Sequence, residues 1–177
     1  MLIRLGKIIY LLSFILSSAL LVGQGTRLTT TRVDNEISID GFMNEEQWKN
    51  AQVATGFIER NPTEGNPPRF KTEVRVLYDN NNIYILGYCF DDHPDSILTQ
   101  LGERDDNLNA DLFTVSFDTY NKFLDAFVFS VSASGVQSDK RISDPSFNAV
   151  WESAVQVVDN GWIAEIKIPY YAIRFPK

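Results

Sequence analysis

Three short stretches of the chain carry the side chains best suited to hold a small polar ligand. Arg104 and Asp105 stand side by side, Asp144 opens a later loop, and Phe147 and Trp151 follow it. A guanidinium and two carboxylates offer donors and acceptors in complementary sets. Two aromatic rings add flat apolar faces. That combination suits a molecule with many hydroxyls and an apolar C–H face, as a pyranose has. Trp151 shares a strand face with Ser153, Val155 and Val157, so it is either the first core residue of that strand or a ring standing at its rim. Asp105 and Asp144 are also the type of pair that cleaves a glycosidic bond when the carboxyls lie roughly 5 to 9.5 Å apart across a cleft.

A second group is acidic. Asp91, Asp92, Asp106 and Asp111 flank the apolar run Ile97 to Leu101. They read either as solvated loop tips or as ligands of a structural calcium ion, which takes several loop oxygens. No Asp-x-Asp-x-Asp-Gly spacing is present. Cys89 is the single cysteine, which excludes an intrachain disulfide and a thiolate cluster. His93 is the single histidine, held between Asp92 and Pro94. A multi-histidine metal site is therefore excluded, and any catalytic triad would rest on that one residue.

With 177 residues, 44% of them hydrophobic, the chain has enough material for one domain with a sizeable core. Its net charge of -7 argues against nucleic acid or an anionic membrane surface as partner. Residues 1–25 have signal-peptide order: basic Arg4 and Lys7, an apolar run from Ile8 to Val22, then Gly23 and Gly25. The run is shorter than the roughly 20 residues a spanning helix needs. The expected product is an exported domain, residues 26–177, with 14 basic and 23 acidic residues, destined for the periplasm, outer membrane or exterior. No membrane insertion by the domain itself is expected.

The elements that must position these groups read as strands. Phe113, Val115 and Phe117 alternate with Thr114, Ser116 and Asp118, and Phe127, Phe129 and Val131 alternate with Val128 and Ser130. A short connection makes them an antiparallel hairpin, around which the rest is expected to pack. Residues 72–78 read as a half-exposed strand and Ile83 to Phe90 as a central one covered on both faces. Asp159-Asn160-Gly161 turns the chain into Trp162, Ala164, Ile166 and Ile168, which alternate with Glu165 and Lys167. Weak strands are read at 37–39, 97–101 and 136–142. Asn44 suits a helix N-cap with Gln47 as its reciprocal partner, and Met43 and Trp48 suit a hydrophobic staple, for a helix from Glu45 to Ala51. Trp48 and Trp162 are expected to be structural. The prediction is all-β: an antiparallel β-sandwich of about ten strands with one short N-terminal helix. The stop after Arg174-Phe175-Pro176, with no closing element, is expected of the first part of a longer protein.

The order of several signals carries a resemblance. Ile39-Asp40-Gly41 with Trp48-x-x-Ala51, the strand from Thr72 to Tyr78-Asp79, Arg104-Asp105-Asp106, Phe117-Asp118-Thr119, Gly135-Val136-Gln137, Trp151-Glu152-Ser153 and Gly161-Trp162 with Glu165 to Pro169 together resemble the family 9 carbohydrate-binding module-like domain. Within that family the chain is similar to amino-terminal domains of exported bacterial proteins whose long carboxy-terminal region is associated with the outer membrane. The resemblance implies a β-sandwich that binds sugars between aromatic rings and carries structural calcium, and that is found attached to glycoside hydrolases. It implies carbohydrate as partner, or packing against the protein's own carboxy-terminal region. If the whole protein is an enzyme, it implies a hydrolase of O-glycosyl bonds. Phe147 is the residue that matches the family's first clamp ring, where relatives carry Trp.

Overall fold

The computed structural model describes residues 27–175, so the signal-peptide assignment lies outside the described residues. Among the described residues nine strands form two sheets. The larger contains β1 (Thr31–Arg32), β2 (Val53–Ala54), β3 (Thr72–Tyr78), β4 (Asn82–Phe90), β8 (Glu152–Val158) and β9 (Gly161–Pro169). Its order is β1-β3-β4-β9-β8, with β2 also paired to β3. The smaller contains β5 (Leu112–Phe117), β6 (Phe127–Ser132) and β7 (Gln137–Arg141) in the order β5-β6-β7. All pairings are antiparallel except β1 with β3. The expected strand at 37–39 does not form, although Ile37 is buried. That at 97–101 is reduced to one bridge, Thr99 to Ala110.

The hairpin read at 112–132 is present, in register from Leu112 opposite Ser132 to Phe117 opposite Phe127. It belongs to the smaller sheet, however, and the centre of the molecule is β4 with β9. Both faces of that pair are covered. On the inner face Ile85, Trp162, Ala164, Ile166 and Ile168 meet Phe113, Phe127, Phe129 and Val131. On the outer face Leu77, Tyr84, Leu86 and Ile163 meet Val33, Ile37 and Trp48. Strand β3, read as half-exposed, is covered more than its pattern implies, since Arg75 is only 8% exposed. Cys89 packs at the inner core, and desolvation pushes its thiol up to about 12, so it stays neutral and unreactive.

At Gly87 the two sheets approach closely. A Cβ there would stand 2.4 Å from the Phe113 ring, and the flat ring uses the absence of a side chain to lie against β4. Gly87→Ala is therefore expected to overpack the core and cost roughly 1–3 kcal/mol. A denaturant midpoint unchanged from that of the parent would contradict this.

Helix α1 (Glu46–Asn50) is shorter than expected and is not capped by Asn44. Glu45 occupies the N-cap position without a side-chain bond to the helix, and the Asn44 amide donates to Asp40 Oδ2 instead. The helix is held by tertiary contacts, as so short a helix must be. Trp48 is fully buried, and its Nε1 donates to Glu165 Oε1 at 2.8 Å. Glu165 Oε2 accepts the N–H groups of Asp40 and Gly41 at 2.9 and 2.8 Å. A carboxylate on the central strand thus pins both the helix and the turn before it. Burial pushes the Glu165 carboxyl up to about 7.

Candidate functional site

Strand β7 is an edge; Asp144 N–H donates to Arg141 O at its end, and Asp105 meets its backbone at Gln137 and Asp139. Asp105 has a φ of 68°, a left-handed conformation that Asp tolerates better than most residues. In that conformation its N–H donates to Gln137 O and its Oδ1 accepts from Asp139 N, both at 3.0 Å. The turn places Arg104 against the inward side of β7. Its guanidinium donates to Gln137 Oε1 at 2.9 Å, to Ala149 O at 2.7 Å and to Asp139 Oδ1. Asp139 alternates inward opposite Phe129, and its side chain is 1% exposed. It also accepts from Ala149 N at 2.8 Å and from Trp151 Nε1 at 3.2 Å.

Arg104, Asp105 and Trp151 therefore do converge, around a carboxylate the sequence reading did not single out. Trp151 stands in the core and not at a rim: it is 5% exposed, and its ring meets Phe129 edge-on with centroids 5.5 Å apart. Trp151→Ala is expected to cost about 3–5 kcal/mol, as for other buried aromatics. Unfolding curves that shift by less than about 1 kcal/mol would contradict that placement.

On the other side of the small sheet lies an open groove of about 610 Å³, within the range of ligand sites. Thr114, Ser130, Ser138 and Lys140 face outward from β5, β6 and β7 and supply hydroxyls and an ammonium. Leu112 and Val128 give it an apolar strip, and the loop bearing Asp105, Asp106 and Asn107 forms a wall. The Thr114 and Ser130 hydroxyls lie 2.8 Å apart in a hydrogen bond. Phe147 reaches the groove at the β7 edge, half-buried and edge-on to Phe127 and Phe129. The groove can form hydrogen bonds to hydroxyls and cover an apolar face. The outward alternation of β5 and β6 was visible in the sequence. Its role was not, because the loop wall comes from elsewhere in the chain.

Asp144 does not line this groove. It opens on a neighbouring depression, where its Oδ1 accepts from Ser146 N and Oγ at 3.0 and 2.7 Å. Those bonds, the Ser146 hydroxyl first, hold its carboxyl below the usual range. Asp105 and Asp144 thus border different hollows, where a glycosidase pair would face across one.

The four residues read as calcium ligands do not form a cage. Asp91 Oδ1 accepts from His93 N, Asp106 Oδ2 from Glu103 N and Asp111 Oδ2 from Leu98 N, while Asp92 is exposed. Each of the first three carboxylates satisfies a backbone donor, local for Asp91 and Asp106 and thirteen residues away for Asp111. Among the described residues no three His, Cys, Asp or Glu side chains come close enough to hold a metal ion. The residues present do not fit a calcium site of that kind. Among the described residues, no helix is long and apolar enough to cross a membrane.

Two facing sheets with an open groove over the smaller one define the class: an all-β sandwich module. The family model described as "Carbohydrate family 9 binding domain-like" matches residues 39–177, and the chain belongs to that family. Two solved structures share its fold, both of a carbohydrate binding module family 9 from Caldicellulosiruptor kristjanssonii. The one in complex with glucose has a TM-score of 0.54 and 11% identity, covering 78% of this chain and 67% of that one. The one in complex with cellotriose has a TM-score of 0.54 and 13% identity, covering 81% and 67%. No curated protein matches by sequence.

Proposed function

We propose that this is a non-catalytic carbohydrate-binding domain of an exported protein, with its ligand seated in the groove over the small sheet. The observation that carries the reading is that groove: hydroxyls, an ammonium and carboxylates surround a short apolar strip and the Phe147 ring, in a member of a family named for carbohydrate binding. The bound sugars of the two structural neighbours support it. Sugar hydroxyls both donate and accept, and the groove offers partners of both kinds. Export to the periplasm, outer membrane or exterior is supported by the basic-apolar-small order of residues 1–25. The absence of catalysis is supported by the separation of Asp105 from Asp144 between two hollows.

A glycan array followed by calorimetry on residues 26–177 tests the reading. Lys140→Ala and Thr114→Ala, both exposed, should each weaken the best glycan several-fold while leaving the thermal midpoint in place. Failure of every glycan to bind would refute the reading. Turnover of an aryl glycoside by the domain would refute its non-catalytic part.

The second reading is a docking domain that packs against another region of a longer polypeptide. One feature favours it: Phe123 and Leu124, 91% and 80% exposed, at the tip of the β5–β6 loop. Asp118 fixes that tip by accepting from the N–H groups of Tyr120 and Phe123 at 3.1 and 2.6 Å.

A further inference from the structure

The depression bordered by Asp144 is distinct from the groove and joined to it. It measures about 430 Å³, and Phe147 lines both hollows. The 144–148 loop divides them: Pro145 faces the groove, whereas Asp144, Ser146 and Asn148 face the depression. The opposite wall is the 3₁₀ turn Tyr170–Ala172 with Arg174.

Several of these groups keep hydrogen-bonding capacity to spare, although the Arg174 charge helps to hold the Asp144 carboxyl low. Asp144 uses only Oδ1 in its turn. Among the described residues, its Oδ2, the Asn148 amide and the Arg174 guanidinium have no hydrogen-bond partner. Tyr171 is 77% exposed, yet its backbone is fixed on both sides. Tyr170 donates its N–H to Asn81 O at 2.8 Å and its hydroxyl to Asp79 O at 3.1 Å, and Ile173 is 2% exposed. An acceptor, an amide of both kinds, a fork of donors and an exposed ring on a fixed backbone thus surround one hollow. Such a set matches vicinal hydroxyls and the apolar face of a sugar ring, and its fixed backbone lowers the entropy lost on binding.

We propose that Asp144, Asn148, Tyr171 and Arg174 form a second sugar subsite, so that the ligand is an oligosaccharide laid across the 144–148 loop from the groove into this depression. The inference rests on the carbohydrate reading of the groove and adds the length and path of the ligand. Phe147 underlies the crossing and contacts the chain from both hollows. Arg141, which also borders the depression, is held by Asp125 at 2.7 Å and lies over the Phe127 ring, so it shapes the wall and leaves recognition to Arg174.

Calorimetry with glucose and cellotriose as first probes tests this, together with the mono- and trisaccharide of the strongest array glycan. In the unmodified domain the trisaccharide should bind at least about tenfold more tightly than its monosaccharide. Tyr171→Ala and Arg174→Ala, both at exposed positions, should each remove most of that difference and leave monosaccharide affinity unchanged. Lys140→Ala in the groove should weaken both sugars. Equal affinity for the two lengths, or a trisaccharide indifferent to both depression variants, would overturn the second subsite while the groove stands. A domain that binds no sugar at all would overturn the groove reading and the subsite with it.

Discussion

Asp139→Ala is expected to destabilise the domain by about 2–6 kcal/mol, the cost of leaving two buried donors without a partner. Three donors converge on this one carboxylate: Ala149 N–H, Trp151 Nε1–H and the Arg104 guanidinium. They do not contribute equally. Arg104 has a side chain 34% exposed, so water can reach it once the carboxylate is gone. The buried Trp151 and Ala149 donors have no such recourse, and each buried donor left without a partner costs about 1–3 kcal/mol. Asp139→Asn should fall between the parent and Asp139→Ala, because the amide keeps one acceptor but turns its NH2 towards a donor. Chemical denaturation measures the difference, and amide hydrogen exchange should show the 103–106 turn and the 147–151 segment opening first. A loss below about 1 kcal/mol for Asp139→Ala would mean that the network is decoration on an otherwise self-sufficient core.

The same network shows where sequence reading reached and where it stopped. The period of two in Phe113 to Phe117 and Phe127 to Val131 depends only on neighbours along the chain, and those strands formed the expected antiparallel pair. Apolar residues on both sides of β4 correctly implied two covered faces, and Trp48 and Trp162 are buried as read. Asp139 and Glu165 were illegible for one shared reason. A carboxylate within a strand normally marks the solvent side, and it is reversed only when donors arrive from far along the chain. For Asp139 they come from Arg104 and Ala149. For Glu165 they come from Asp40, Gly41 and Trp48, more than a hundred residues earlier. Asn44 failed as a cap for a local reason: the helix starts one residue later, with Glu45 at the N-cap position, and the Asn44 side chain turns back to Asp40. Arg104, Asp105 and Trp151, read as loop groups around a ligand, meet instead around the buried Asp139, and alternation could not tell that Asp139 would draw Arg104 and Trp151 inward.

Glu165→Gln is expected to change how stability depends on pH as well as how large it is. The Glu165 carboxyl is pushed from 4.5 to about 7, first by burial, with the charge of Glu45 adding to the effect. The N–H groups of Gly41 and Asp40 and the Trp48 indole pull the other way without cancelling it. Between those two values the folded state holds a proton that the unfolded state has released. Stability from this group is therefore highest at acid pH, falls as pH rises from about 4.5 to about 7, and levels off above that. The shift corresponds to a change on the order of 3 kcal/mol. Glu73 and Asp79 act in the opposite direction, because their carboxyls are held below their ordinary values. Their contribution is lost only as pH falls below the normal carboxylate range, outside the Glu165 window. Glu165→Gln removes the titration, so unfolding free energies measured at pH 5, 6, 7 and 8 should lie on a flatter line than those of the parent. The variant should also lose about 1–3 kcal/mol at pH 5, where the parent is mostly protonated, because an amide cannot match the carboxyl at both Trp48 and the Asp40–Gly41 turn. Parallel pH profiles for the two proteins would show that Glu165 does not titrate in this range. In that case the three donors outweigh burial, and the carboxylate that pins α1 stays charged throughout.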